Sequence, residues 1–81
     1  MNKRYADGQT PAVALSAREE VAAQVFQARK EAHLTQQNLA DLTGTKKSNI
    51  SRMESGRYNP RLDFLVKVAS SMGKELSVKL Q

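Results

Sequence analysis

The chain has 81 residues, thirteen Lys and Arg against eight Asp and Glu, a net charge of +5, and no cysteine. That length makes one domain with a small core, near the size at which oligomerisation supplements stability. Disulfides and thiol catalysis are excluded, no apolar run approaches the roughly 18 residues of a membrane span, and no signal-peptide core appears, so a soluble, cytoplasmic protein is expected.

Residues 1–15 show no sustained period and contain Gly8 and Pro11. They read as a mobile arm, its end docked through Val13 and Leu15. Lys3 and Arg4 give such an arm a means of touching a polyanion; holding a protein partner or simply fraying are the other readings. The first helix is expected to begin at Ser16, because Ser16-Ala17-Arg18-Glu19 has capping-box spacing. Ala22, Val25, Phe26 and Arg29 follow at i, i+3, i+4 and i+7, one core-facing stripe. Arg29 is out of place there, since a lone buried cation is very costly. His33 ends the helix; without a second ligand in sight it is a helix-end residue and not a metal ligand or catalyst.

The next stretch, Leu34 to Arg57, holds two short helical patterns on either side of Gly44. Thr35 can cap the first, whose apolar positions are Leu39, Ala40 and Leu42. Gly44 tolerates the left-handed conformation that a sharp exit needs. In the second, Ile50 and Met53 lie three apart as core residues, while Lys47, Ser48, Asn49 and Arg52 fall on other faces. Between Lys46 and Arg61 there are five basic residues and one acid, Glu54, a local balance of 5 − 1 = +4. A basic, amide-bearing second helix suits a polyphosphate and reads as a helix-turn-helix.

This stretch resembles the phage-repressor and Cro type of helix-turn-helix. The matching residues are Leu34-Thr35-Gln36-Gln37, Leu39-Ala40, Gly44-Thr45, Ile50 to Glu54, Gly56-Arg57 and Asn59-Pro60, and the likeness covers about residues 18–73. It implies double-stranded DNA as partner, with Lys47, Ser48, Asn49 and Arg52 at base edges. Lys47 and Arg52 can donate to guanine, and Asn49 can read adenine if it faces the groove. Gln36 would hold a phosphate through its side chain and the helix N-terminus, with Lys46, Arg57 and Asn59 gripping the backbone around it. The resemblance also implies an ion pair between Arg29 and Glu54, tying the first helix to the third; the alternative is Arg29 reaching water. Lys46 stands where the family often has a serine or threonine cap, so capping shifts to Thr45 or weakens. Tyr58 either stacks on a sugar-phosphate edge or packs on its own loop.

A fourth helix is expected from about Leu62 to Met72, with Gly73 as its stop. Leu62, Leu65, Val66 and Ala69 form one apolar stripe, and Phe64, Val68 and Met72 a second, too broad a face for a small monomer to bury. Glu75 to Leu80 alternates polar and apolar, a strand pattern that cannot satisfy its own backbone groups. Such a tail strand is similar to that of HigA-type and HipB-type antitoxin regulators, whose dimers pair it. The expected architecture is therefore mainly α: a four-to-five-helix repressor-like DNA-binding domain over residues 16–73, with a dimerising β-strand in residues 74–81. Phe64, Val68, Met72, Leu76, Val78 and Leu80 would make the homodimer, and two-fold symmetry asks for a palindromic operator. Functionally this is a DNA-binding repressor that, as an antitoxin, autoregulates its operon and binds a small toxin. The alternatives are an antitoxin acting mainly by covering its toxin, and a plain phage-type regulator without one. With one histidine, no cysteine and no carboxylate cluster, neither an enzyme nor a cofactor or metal site is expected.

Overall fold

The computed structural model describes residues 12–80, and the Lys3–Arg4 region of the expected arm lies outside the described residues. Four helices follow one another: α1 (Ala12–Glu31), α2 (Gln36–Thr43), α3 (Lys47–Glu54) and α4 (Leu62–Ser71). Residues 74–80 adopt no regular structure, and among the described residues there is no strand.

α1 runs through Ser16, so the spacing read as its capping box lies inside the helix and residues 12–15 belong to it. From Ala12 to Glu31 there is no Gly or Pro, and Ala12-Val13-Ala14-Leu15 is rich in good helix formers, which outweighs a local serine. Its buried residues are Ala22, Val25, Ala28 and Arg29. Phe26, expected on this stripe, is instead 45% exposed. It falls just past the edge of the buried arc, and its ring lies 5.3 Å from the Arg29 guanidinium carbon and 5.9 Å from Lys30 Nζ. His33 ends the helix with φ 58°, the one left-handed non-glycine among the described residues.

α2 begins with a full capping box. Thr35 Oγ1 accepts from the Asn38 amide at 3.0 Å, and Asn38 Oδ1 accepts from the Thr35 amide at 3.0 Å. Gly44, at φ 69°, ends the helix and turns the chain into α3. Leu39 and Ala40 are fully buried, while Leu42, expected with them, is 57% exposed. Thr43 takes the inward position, satisfied by donating to the Leu39 and Ala40 carbonyls.

The core joins Val25 of α1, Leu39 and Ala40 of α2, Ile50 and Met53 of α3, and Val68 of α4. Tyr58, Phe64, Leu65 and Met72 pack around it, each half-buried. Val68 is 1% exposed within the single chain, so it is not available for dimerisation. The uncovered apolar side chains of α4 are Leu62 and Val66, four residues apart on one helical face.

Gly56 follows α3 at φ 80°, buried against α1. A Cβ there would lie 3.2 Å from Glu19 Cγ and 3.4 Å from Glu19 Cα. Gly56→Ala combines left-handed strain with crowding against α1 and should cost about 1–3 kcal/mol. A shift of the denaturation midpoint, with an unchanged denaturant slope, is the expected result.

Candidate nucleic-acid interface

α3 carries the interface, and its two faces separate cleanly. Ile50 and Met53 are 0% and 1% exposed and point into the core. At about 100° per residue, Lys47, Ser51, Ser48 and Arg52 fall in that order across an arc of about 140° on the opposite side. All four are exposed. Two cations therefore bound the outward face, with two small hydroxyls between them. Ser51 was not among the expected contacts; its i+4 relation to Lys47 and i+3 relation to Ser48 is the signal that places it there.

Asn49 does not join them. It is half-buried, and its Nδ2 donates to Thr45 Oγ1 at 2.7 Å. Thr45, tied in this way, does not cap α3; Lys46 is the N-cap residue and makes no side-chain cap bond. Lys46 and Lys47 thus place two cations at a helix start, which the helix dipole disfavours and an anion there would relieve. Arg57 and Asn59, in the segment after α3, are exposed, as is Arg61 at the N-cap of α4.

The ion pair between Arg29 and Glu54 fixes α3 against α1. Arg29 Nε donates to Glu54 Oε2 at 2.7 Å and Nη2 to Glu54 Oε1 at 2.9 Å, a bidentate fork. Nη1 donates to the Leu34 carbonyl at 2.8 Å. The Arg29 and Glu54 side chains are 9% and 4% exposed. Hydrogen bonding to Glu54 raises the Arg29 pKa above its ordinary value against the opposite pull of burial, so the guanidinium stays charged wherever the protein is folded.

Gln36, the first residue of α2, turns its Nε2 to Glu54 Oε1 at 3.2 Å. Its side chain is therefore engaged with the ion pair and is not held ready for a phosphate. What remains for an anion at this helix start is backbone: the first amides of α2 have no intrahelical acceptor. Among the described residues no group of three or more His, Cys, Asp or Glu is placed to hold a metal ion, and no helix is long and apolar enough to cross a membrane.

Leu76, Val78 and Leu80, expected at a dimer contact, lie in the extended tail. Leu76 is half-buried, whereas Val78 and Leu80 are 69% and 98% exposed. The tail walls an apolar groove of about 620 Å3 whose other sides include Val13 and Val21 of α1 and Leu62 and Leu65 of α4. Phe64 and Met72 are half-buried and packed on the core, and Met72 also lines the groove.

Comparison with known proteins follows this geometry. The family model described as "HTH_3: Helix-turn-helix" matches residues 25–79, more than half of the chain. An uncharacterised HTH-type transcriptional regulator of Haemophilus influenzae is 34% identical over 55 residues, 68% of this chain and 56% of that protein. Another, from Methanothermobacter thermautotrophicus, is 40% identical over 47 residues, 58% of this chain and 68% of that protein. The chain thus spans little more than half of the Haemophilus relative. Among solved structures, a toxin-antitoxin module from Streptococcus pneumoniae matches with a TM-score of 0.65 and 31% identity, over 93% of this chain and 85% of that one. An HTH_3 family transcriptional regulator from Vibrio cholerae matches with a TM-score of 0.73 and 27% identity, over 76% of this chain and 35% of that one. The clp gene regulator ClgR from C. glutamicum, 24% identical over 73% of this chain and 76% of its own, has a TM-score of 0.71 and shows the shared fold.

Proposed function

The chain belongs to the helix-turn-helix family of XRE-type transcriptional regulators, proteins that bind DNA and are not enzymes, and from that premise we propose that it is a sequence-specific repressor acting in the cytoplasm. One observation carries the proposal. All five cations between Lys46 and Arg61 are exposed, while the one acid in that stretch, Glu54, is turned inward and neutralised by Arg29. The outward charge of α3 and the segment after it is therefore wholly positive, as a phosphate backbone requires. Lys47, Ser48 and Arg52 act at base edges, and Lys46, Arg57, Asn59 and the start of α2 at Gln36 act on the backbone.

Those roles separate by measurement. A duplex recovered by selection from a random library should bind with strong salt dependence. Arg57→Ala should weaken binding to all sequences alike and flatten the salt slope by about one unit. Lys47→Ala and Arg52→Ala should each cost about 1–3 kcal/mol at particular base pairs and relax the preference there. Operator preference surviving intact in the double variant would remove α3 from the readout.

The repressor works as a homodimer on a palindromic operator. Leu62, Val66, Val78 and Leu80 are large apolar side chains left in water by a single copy, and an extended tail pairing with its symmetry mate across the two-fold axis would cover them. A further reading adds a toxin: the similarity to a toxin-antitoxin module extends over nearly the whole chain and favours an antitoxin that represses its own operon. Expression with the adjacent gene decides it. A small protein co-purifying in fixed ratio supports the antitoxin; a chain purified alone and still repressing is a plain regulator.

A further inference from the structure

We infer that each operator half-site is specified by two G·C pairs, one read by Lys47 and the other by Arg52, with no adenine read by Asn49. The inference rests on the DNA-binding reading and adds the chemistry of what is read. Its starting point is what the outward face of α3 lacks. An adenine in the major groove is read by an amide that donates to N7 and accepts from the N6 amino group at once. Asn49 is the sole amide side chain on α3, and it is half-buried with Nδ2 donating back to Thr45 at 2.7 Å. Its position on the helix, about 60° beyond Arg52 and away from Ser48 and Ser51, keeps it at the margin of the face. Reading adenine would require breaking that bond and swinging the side chain around the helix.

The side chains that do face outward carry a different code. Lys47 and Arg52 are donors without acceptors, and the base that offers two acceptors in the major groove is guanine, through O6 and N7. No exposed carboxylate on α3 can accept from the cytosine amino group, because Glu54 is committed to Arg29 and Gln36. Ser48 and Ser51 hold the middle of the face, and a serine hydroxyl donates or accepts with little preference between bases. Being short, they let the helix lie close to the groove floor, which brings the longer flanking side chains within reach of base edges. Lys47 and Arg52 are five residues apart, about 7.5 Å along the helix axis. Set at the two edges of the outward face, they reach different base pairs.

The test is a selection from a fully randomised duplex library with the full chain, repeated with Lys47→Ala, Arg52→Ala and Asn49→Ala. The expected half-site holds two guanines at separate positions; each cation variant loses enrichment at one of them and keeps the other. Asn49→Ala should leave the recovered sequence unchanged. As an independent readout, replacing each selected guanine by 7-deazaguanine, which lacks N7, should weaken wild-type binding about 10-fold and barely affect the variant already lacking the matching cation. Enrichment at A·T pairs alone, guanines insensitive to both cation variants, or an adenine preference lost in Asn49→Ala would each overturn the inference while leaving sequence-specific binding intact. No enrichment of any sequence would overturn the repressor reading and the inference with it.

Discussion

Glu54→Ala should lower the unfolding free energy by about 3–5 kcal/mol. The size follows from what the substitution leaves behind. Arg29 would keep its charge in a buried position, with Nε and Nη2 stripped of their acceptors and only the Leu34 carbonyl retained. A guanidinium cannot escape by releasing its proton, so the full desolvation cost remains. Gln36 would lose its acceptor as well. For a domain of about this size each kcal/mol moves the melting midpoint by roughly 4–8 °C, so the variant should be largely unfolded at 37 °C if the parent is of ordinary stability. The companion variant carrying Arg29→Met and Glu54→Leu removes both charges and should recover most of the loss. A single variant melting at the parent midpoint would mean that Arg29 finds water without moving the fold.

That pair also marks the boundary of what could be read from the chain. Local signals were sufficient for the ends of α2, where Thr35 caps and Gly44 supplies the left-handed exit, and for Leu39 and Ala40 on its buried face, though not for Leu42. Ile50 and Met53 likewise declared themselves through spacing. The bond between Arg29 and Glu54 spans 25 residues, and no periodicity connects them; only the resemblance to a known family did. Phe26 and Val68 were misplaced for the same physical reason. Whether a residue at the edge of a helical stripe is covered depends on where the neighbouring helix crosses, and that is decided by packing between distant segments. For α1 the sequence held two competing start signals, and helix propensity over Ala12 to Leu15 outweighed the serine four residues later. Asn49 was not legible in this way: its partner Thr45 precedes the N-cap Lys46 and lies outside the helix, so helical spacing gives no signal for the bond. The alternating tail promises a strand, yet a strand exists only with a partner, and among the described residues this chain offers none.

Ending the chain at Gly73 should convert the proposed operator-binding dimer into a species that is mainly monomer. The tail contributes little to the core: Leu76 is half-buried, whereas Val78 and Leu80 are among the most exposed apolar side chains described. The residues buried in the core all precede Gly73, and of the amides that close α4 those of Met72 and Gly73 remain, while that of Lys74, bonded to the Ala69 carbonyl at 2.9 Å, is lost. The helical signal in circular dichroism should therefore survive. The contact with a second copy should not, because Leu62 and Val66 would face water with nothing to cover them. In the dimer, two recognition helices about 34–36 Å apart meet successive turns of DNA, and docking the first makes binding of the second intramolecular. Losing that linkage should weaken operator binding by about 10²–10⁴-fold at fixed salt, although every base-contacting residue is still present. Light scattering gives the mass and fluorescence anisotropy the affinity, each beside the full chain. A truncated protein that keeps both would assign the subunit contact to α4 alone, with the tail free for another partner.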